Sequence, residues 1–326
     1  MVPAGASLLA LALLPLPPAA PRLAAAKALP LLAKAAAGHV EQKTCFACHN
    51  QALPVMALAA AKGRGFAVAA DALTTQTDHV ATFLAGNRDK FRKGQGTGGG
   101  VDSAGYALFT LELGGHAADD TTAAVVEYLL QTQADRDHWR TSSNRPPTEA
   151  SSLTTTYLAL RALRVWATDA QKDRAGKRIA STRNWLLGAK AKDTEDRVFR
   201  LFALKEVAAG EKEIAAAAWE LAKTQRADGG WGQLDAAASD AYATGTALVA
   251  LHQAGGLATD HPAYARGVAF LLQSQEADGS WLVKSRSKPF QPYYESGFPH
   301  GKEQFISAAA TGWAATALVL ATPVGK

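Results

Sequence analysis

Two stretches decide the reading of this chain: Gln225-Arg226-Ala227-Asp228-Gly229-Gly230-Trp231 and Gln275-Glu276-Ala277-Asp278-Gly279-Ser280-Trp281. Each sets a glutamine six residues ahead of a tryptophan, with Asp-Gly between them. A looser copy runs from Gln133 to Trp139, with His138 where the second copy has Gly230. Every copy closes an amphipathic stretch, over 125–133, 214–225 and 264–275. The stretch that follows differs in character. Ala107-Leu108 with Leu111, Ala159-Leu160 with Leu163 and Ala247-Leu248 with Leu251 share Ala-Leu-x-x-Leu and carry few charges. A helix apolar nearly all round is buried. The preceding stretches keep one charged face, such as Glu211, Lys212, Glu220 and Lys223, and belong outside. Self-similar units of this kind are the mark of a repeat architecture, in which each unit buries its apolar face on its neighbours.

Working outward, the periodicity predicts about twelve helical segments. They lie near 28–39, 49–62, 66–90, 103–113, 119–133, 149–167, 171–188, 195–208, 211–225, 238–254, 261–275 and 304–321. Gly114-Gly115 and Gly255-Gly256 end inner helices, as glycine does at helix C-termini. Ala-rich runs dominate the 326 residues, 48% are apolar, and β-branched alternation is nearly absent. The chain therefore reads as all-α, with a core large enough for a folded domain. The net charge of +5 is scattered, without a basic block interleaved with aromatics. That speaks against nucleic-acid binding.

The string Gln-x-x-Asp-Gly-x-Trp at helix–turn–helix junctions resembles the repeat of the squalene-hopene and oxidosqualene cyclase superfamily, which also holds the protein prenyltransferases. The likeness runs over about 120–321 and is sharpest in the two C-terminal copies; near Lys190 to Asp196 the tryptophan is lost. It implies an (α/α)6 toroid of about six helix hairpins. Physically, the glutamine can bond the turn backbone, glycine permits positive φ, and tryptophan packs under the next helix. These residues are read as scaffold. Cys45-Phe46-Ala47-Cys48-His49 followed by Gln51-Ala52-Leu53-Pro54, with Ser296-Gly297-Phe298-Pro299-His300-Gly301, also resembles a group of bacterial prenyltransferase/squalene-oxidase-repeat proteins.

Cys45 and Cys48 are the chain's only cysteines, and His49 adjoins them. Cys-x-x-Cys-His is the attachment motif of c-type haem, where two thiols form thioethers and the imidazole ligates iron. A local Cys45–Cys48 disulfide is the competing reading. Met56 follows His49 by seven residues, about 10 Å along a helix, so it cannot face His49 across one haem. His300, His116 or His138 would supply a sixth ligand, with His300 preferred. Residues 6–16 form an apolar stretch too short to span a bilayer, and Ala24-Ala25-Ala26 follows it. This suggests a signal peptide over 1–26, a toroid over 27–326 and a periplasmic or secreted location, although no basic residue precedes the stretch. No later segment reads as a membrane span.

Three long connections, over 90–102, 139–148 and 282–303, fall at the end where inner helices begin. That end should be functional. Its helix dipoles and basic loops favour an anionic ligand, and an apolar one would suit the ring's interior. Tyr242, Trp313, Tyr293, Tyr294 and Phe298 are the candidate cavity and loop residues. Class II cyclases of the superfamily protonate substrate with an Asp-x-Asp-Asp motif. The nearest string found is Asp119-Asp120, which precedes an outer helix and reads as a helix start. Asp240 opens an inner helix and is the candidate acid, with N-capping as its plainer role. Both cysteines lie far from the inner helices that would hold a prenyltransferase zinc, so no zinc is expected. Three functions stay open: a haem-c redox protein with a redox partner, a terpenoid cyclase using Asp240, and a non-catalytic binding scaffold.

Overall fold

The computed structural model describes residues 19–289 and 292–323. The first helices are α1 (Ala20–Gln42), α2 (Leu53–Gly63), α3 (Ala70–Gly86), α4 (Arg88–Arg92), α5 (Gly100–Leu113) and α6 (Asp120–Gln131). They are followed by α7 (Ser152–Trp166), α8 (Asp169–Gly188), α9 (Thr194–Glu206) and α10 (Glu211–Ala222). The chain ends on α11 (Ala241–Gln253), α12 (Pro262–Ser274) and α13 (Gln304–Leu320). A π-helical turn, Cys48–Ala52, leads into α2. Among the described residues the only sheet is a two-residue antiparallel ladder, β1 (Trp231–Gly232) with β2 (Ser239–Asp240).

Helices α2, α5, α7, α9, α11 and α13 pack in succession, and α13 closes back on α2. Around them α1, α3, α6, α8, α10 and α12 form the outer layer. This is the six-pair α/α toroid that the alternating helix character predicts. The inner helices are buried on nearly every face: eleven consecutive residues of α11, Ala241 to Leu251, are buried. Small residues let them approach. A Cβ on Gly245 would lie 2.7 Å from the Ala314 nitrogen on α13, and one on Gly105 2.6 Å from Leu158 Cβ on α7. No helix of the described residues is long and apolar enough to cross a membrane.

The repeat turns work in the predicted way, with one addition. Trp139, Trp231 and Trp281 each donate the indole N–H to a carbonyl ten residues back, Leu129, Leu221 and Leu271, at 2.9–3.0 Å. Their backbone N–H groups donate to Thr156, Thr244 and Thr311 on the following inner helix. One residue thus satisfies the frayed end of an outer helix and fixes the start of an inner one. Gln225 Nε2 donates to Gly229 O within its turn and to Ala263 O on α12. Gln275 does the same with Gly279 O and Ala24 O on α1. Gly229 and Gly279 sit at φ +86° and +98°, where a side chain would be strained. In the first copy Arg178 stands in, donating to the carbonyls of Gln133 and Arg136 and lying 4.3 Å over the Trp139 ring.

Two boundaries differ from expectation. The segment near 66–90 breaks at Asn87, whose side chain donates to Phe83 O and ends α3 before the short α4. At the N-terminus, residues 1–18 of the expected signal peptide lie outside the described residues, but Ala20 to Ala26 belong to α1. Ala24 and Ala25 are buried, Arg22 donates to Gly65 O at 2.8 Å, and Ala24 O receives Gln275. A cleavage after Ala26 would cut this helix and open the seam between α12 and α13.

Two outcomes follow. A chain starting at Lys27 should lose about 2 kcal/mol against one starting at Ala19, from lost burial and two lost hydrogen bonds. Urea denaturation of both chains measures it, and equal midpoints would contradict the docking of α1. Trp231→Ala should cost about 3–5 kcal/mol, far more than Trp219→Ala on the exposed face of α10.

Candidate active site at the loop-bearing end

The long connections meet, as expected, where the inner helices begin. Ser287 Oγ donates to Pro146 O at 2.9 Å, and Arg286 Nη1 to Gln233 Oε1 at 3.0 Å. Thr141 Oγ1 donates to Asp102 Oδ2 at 3.0 Å.

Carboxyls dominate this end. Three successive threonines at the head of α7 point three ways. Thr154 Oγ1 donates to Glu195 on α9 at 3.1 Å, and Thr155 Oγ1 to Asp102 on α5 at 2.5 Å. Thr156 Oγ1 donates to the Trp139 carbonyl at 3.1 Å. Burial pushes the Asp102 carboxyl up to about 6, against the pull of those hydroxyls. Glu195 is raised much further by burial and by nearby Asp193, and it also receives the Tyr242 hydroxyl at 3.1 Å. A carboxyl held neutral in this way is the chemical requirement for protonating a weak base.

Asp193-Thr194-Glu195-Asp196 is therefore the acid-x-acid-acid string at the head of an inner helix. Its third position is Glu, and it matches the acid motif more fully than the expected Asp119-Asp120 does. The start of a helix near 195 was the signal that could have found it. Asp119 does cap α6, accepting from Thr121 N and Thr122 N. Asp240 is the N-cap of α11: Oδ1 accepts from Ala243 N at 2.9 Å and Oδ2 from Gln233 Nε2 at 3.1 Å. Burial raises it too. With Asp193 and Asp240 capping their helices, the helix dipoles are already met by carboxylates. The expected anionic preference of this end gives way to an acidic lining beside Arg145 and Arg286.

The ring's axis is filled. Trp313 on α13 reaches Phe199 and Phe202 on α9, at 6.3 and 6.4 Å between ring centroids, across the intervening α11. Tyr157 stacks on the same two rings, and Tyr242 is buried beside them. The cavity that opens between Pro146, Pro147 and Tyr242, past Ser151, Asp193 and Glu195, has a volume of about 30 Å³. It has room for a few waters at most.

The Cys-x-x-Cys-His segment stands at the same end, heading α2. Cys45 is exposed and Cys48 buried, and both are free thiols. Cys48 Sγ donates to Glu149 Oε1 at 3.4 Å, and Arg145 holds the other oxygen of Glu149. Burial pushes the Cys48 thiol up to about 11. The half-buried His49 ring lies 4.9 Å from Phe305, and burial, with His39 and Arg145 near, pushes it down to about 3. His39 Nε2 and His79 Nε2 both meet the Cys45 carbonyl, at 2.7 and 3.3 Å. A carbonyl only accepts, so both rings carry the proton on Nε2. His39 Nδ1 is then free to accept from the Tyr294 hydroxyl at 2.7 Å, which in turn receives Asn50 Nδ2. Tyr294 and Phe305 roof the segment, with Tyr293 exposed above and Phe298 buried behind. The other histidines are engaged elsewhere. His300 meets Ser280 Oγ at 2.7 Å, His116 pairs with Asp119, and His138 stacks on Trp185 at 4.0 Å. His39 and His79, not singled out from the sequence, are the imidazoles that stand around Cys45.

With this geometry in view, residues 192–301 match the family described as the squalene-hopene cyclase C-terminal domain. The squalene–hopene cyclase of Bradyrhizobium diazoefficiens is 39% identical over 109 residues, covering 28% of this chain and 15% of that protein's length. A solved structure of the type II terpene cyclase MstE from Scytonema aligns over 94% of this chain and 99% of its own, at 14% identity and TM-score 0.42. The matched stretch, which holds the two sharp Gln-to-Trp repeats and the Asp193–Asp196 string, is similar to the squalene-hopene cyclase C-terminal domain.

The raised Asp102 has a measurable consequence. A carboxyl whose folded pKa lies above its unfolded value is better tolerated neutral, so the Asp102 contribution to stability is full below about pH 4 and is lost as pH rises through about 6. The shift corresponds to about 3 kcal/mol lost over that window. Asp102→Asn should remove most of that fall in denaturation curves taken from pH 4 to 7; an unchanged slope would contradict the burial of a titrating carboxyl there.

Proposed function

We propose that this is an exported squalene-cyclase-like toroid that carries haem c on Cys45 and Cys48, with His49 as iron ligand. The observation that carries the reading is the placing of two free thiols and the His49 imidazole together at the head of α2, on the loop-bearing end. The donor set fits the group. Thioether formation needs free thiols, and iron needs an unprotonated imidazole nitrogen. The Asn50 side-chain oxygen beside His49 is buried without a partner, so the surroundings are not closed upon themselves. When bound, the haem would supply one-electron exchange with a redox partner.

The protein's own residues then have defined tasks. Phe305 and Tyr294 shield the segment from water, and they must swing aside for a group of haem size to reach His49. His39 and His79 fix the Cys45 carbonyl, and with it the direction of the first thiol. His79 is also a better sixth-ligand candidate than His300, which Ser280 holds. Export is part of this reading, because thioether haem is attached outside the cytoplasm. Cleavage would lie ahead of Ala20, so that α1 stays whole. The cyclase alternative through Asp240 is less favoured, since both Asp240 oxygens are occupied and a cavity of about 30 Å³ excludes a polyprenoid.

The test is to express the chain with a haem-c maturation system and record its absorption spectrum and intact mass. A covalent haem increment is expected, lost in Cys45→Ser plus Cys48→Ser. His79→Ala or His39→Ala should shift the reduced spectrum, while His300→Ala should not. A mature chain without the increment would end the proposal.

A further inference from the structure

The cavity of about 30 Å³ beside Glu195 is bordered on one side by a segment that belongs to no helix. Residues 284–288 leave Val283, which is buried and held in both directions by Ser307 on α13. Val283 N donates to Ser307 Oγ at 3.1 Å, and that hydroxyl donates to Val283 O at 3.3 Å. Past this anchor Lys284, Ser285, Arg286 and Lys288 are exposed and Ser287 is half-buried. Two side-chain bonds carry the segment across the cavity's mouth. Arg286 reaches the buried Gln233, on the turn ahead of α11, and Ser287 reaches the Pro146 carbonyl, on the loop ahead of α7. Arg286, Gln233 and Pro146 all line the cavity, so each bond ties the segment to a different wall. The walls are bonded among themselves. Gln233 Nε2 donates to Asp240 Oδ2 at 3.1 Å, and Gln233 O accepts from Thr194 N at 3.3 Å. Burial raises the Asp193 and Asp240 carboxyls, and the Arg286 charge offsets part of that rise at both.

We propose that residues 284–288 are a releasable strap that keeps bulk water and small polar molecules out of the Glu195 cavity, with Arg286–Gln233 and Ser287–Pro146 as its two latches and Val283 as its fixed end. The proposal goes beyond the haem reading and makes no use of the Cys45–His49 segment. Release follows from what holds the strap. A hydrogen bond that solvent can replace shifts an equilibrium by about two- to tenfold. Two latches therefore favour the closed form by about four- to a hundredfold, which leaves the open form a minor but regularly visited state. The anchor differs in kind, because Val283 is buried and bonded through both its N–H and its carbonyl. Opening thus swings the exposed residues away while the head of α13 stays in place. Below the strap lies Glu195, whose carboxyl is kept neutral by burial and by nearby Asp193. The strap decides whether that acid faces a closed, nearly dry cavity or a mouth open to solvent.

The experiment is native-state hydrogen exchange on the full chain, read by mass spectrometry at one pH. Three amides report on the cavity: Thr194 N, bonded to Gln233 O, Asp196 N, bonded to Asp193 Oδ1, and Ala243 N, bonded to Asp240 Oδ1. In the double variant Arg286→Ala with Ser287→Ala they should exchange about tenfold faster than in the unaltered chain. Thr121 and Thr122, bonded to Asp119 where α6 begins, at the other end of the ring, should keep their rates. Lys284→Ala removes an equal charge from the same strap and should change neither set. Unchanged cavity amides in the double variant would overturn the proposal, since nothing would then be held shut. Equal acceleration at Thr121 and Thr122, or in Lys284→Ala, would overturn it as well, by showing a general loosening in place of two latches. Should the double variant not fold, each single variant is expected to speed the cavity amides by about two- to tenfold, and unchanged rates in both decide against the strap.

Discussion

Much of the ring rests on one hydrogen bond that recurs at three of its turns: an indole N–H given to a carbonyl ten residues earlier. An outer helix ends with unpaired carbonyls, and an inner helix begins with unpaired N–H groups. In a toroid both ends are pressed against neighbours, so neither can rely on water. Trp139, Trp231 and Trp281 close the outer end with the ring and the inner end through the main chain, using threonine hydroxyls at the receiving helix. The glutamine six residues ahead extends the same logic sideways. Gln225 ties its turn to α12, and Gln275 ties the next turn to α1. The second of these bonds joins the last repeat's turn to the first helix, beside the seam that α13 closes by packing on α1 and α2.

Closure has a consequence for the interior. Inner helices that touch through Gly105, Gly245 and Gly312 come close enough for the aromatic side chains of α7, α9 and α13 to meet on the axis. Tyr157, Phe199, Phe202 and Trp313 thereby occupy the space in which a large apolar ligand would otherwise sit. Polar groups are left to the end where the inner helices start. There the hydroxyls of Thr154 and Thr155 bond carboxyls on the helices to either side, so α7 is the polar hub of that end as the tryptophans are of the turns.

The fold was legible in the sequence because its determinants are local and repeated. Gln275 to Trp281 contains its own turn, its own cap and its own anchor, and the contrast between charged and all-apolar helices assigns the layers. The break at Asn87 was not legible, because Arg88 to Arg92 continue an acceptable helical pattern and only a side-chain bond to Phe83 O ends the helix. The membership of Ala20 to Ala26 in α1 was hidden by composition: an alanine triplet after an apolar stretch reads equally as a cleavage site or as the small-residue face of a packed helix. Of the site, Cys45, Cys48 and His49 were visible by spacing. Tyr294 was named as a loop residue, and His39, His79 and Glu149 were not visible, since each lies on another element and joins the segment only through the fold. Glu195 was hidden for a different reason: the motif specifies aspartate, whereas burial decides which carboxyl stays neutral.

The position of the Cys-x-x-Cys-His segment follows from these constraints. Ser151, Asp193 and Asp240 meet the first N–H groups of α7, α9 and α11, whereas α5 and α13 begin without a side-chain cap. Helix α2 begins differently. Its entry is a π-helical turn in which Ala47 N donates to Gln51 Oε1, reaching back from the helix interior instead of forward from a cap. A wider turn is less well bonded than an α-helical one and is commonly found where a helix serves a site. Here it faces Cys48 and His49 away from regular helix packing, one toward Glu149 and the other toward Phe305. The chain has thus placed its two cysteines at the inner-helix entry that is built on a π-helical turn. The chemistry of the protein is accordingly to be sought on this rim rather than in the filled centre of the ring.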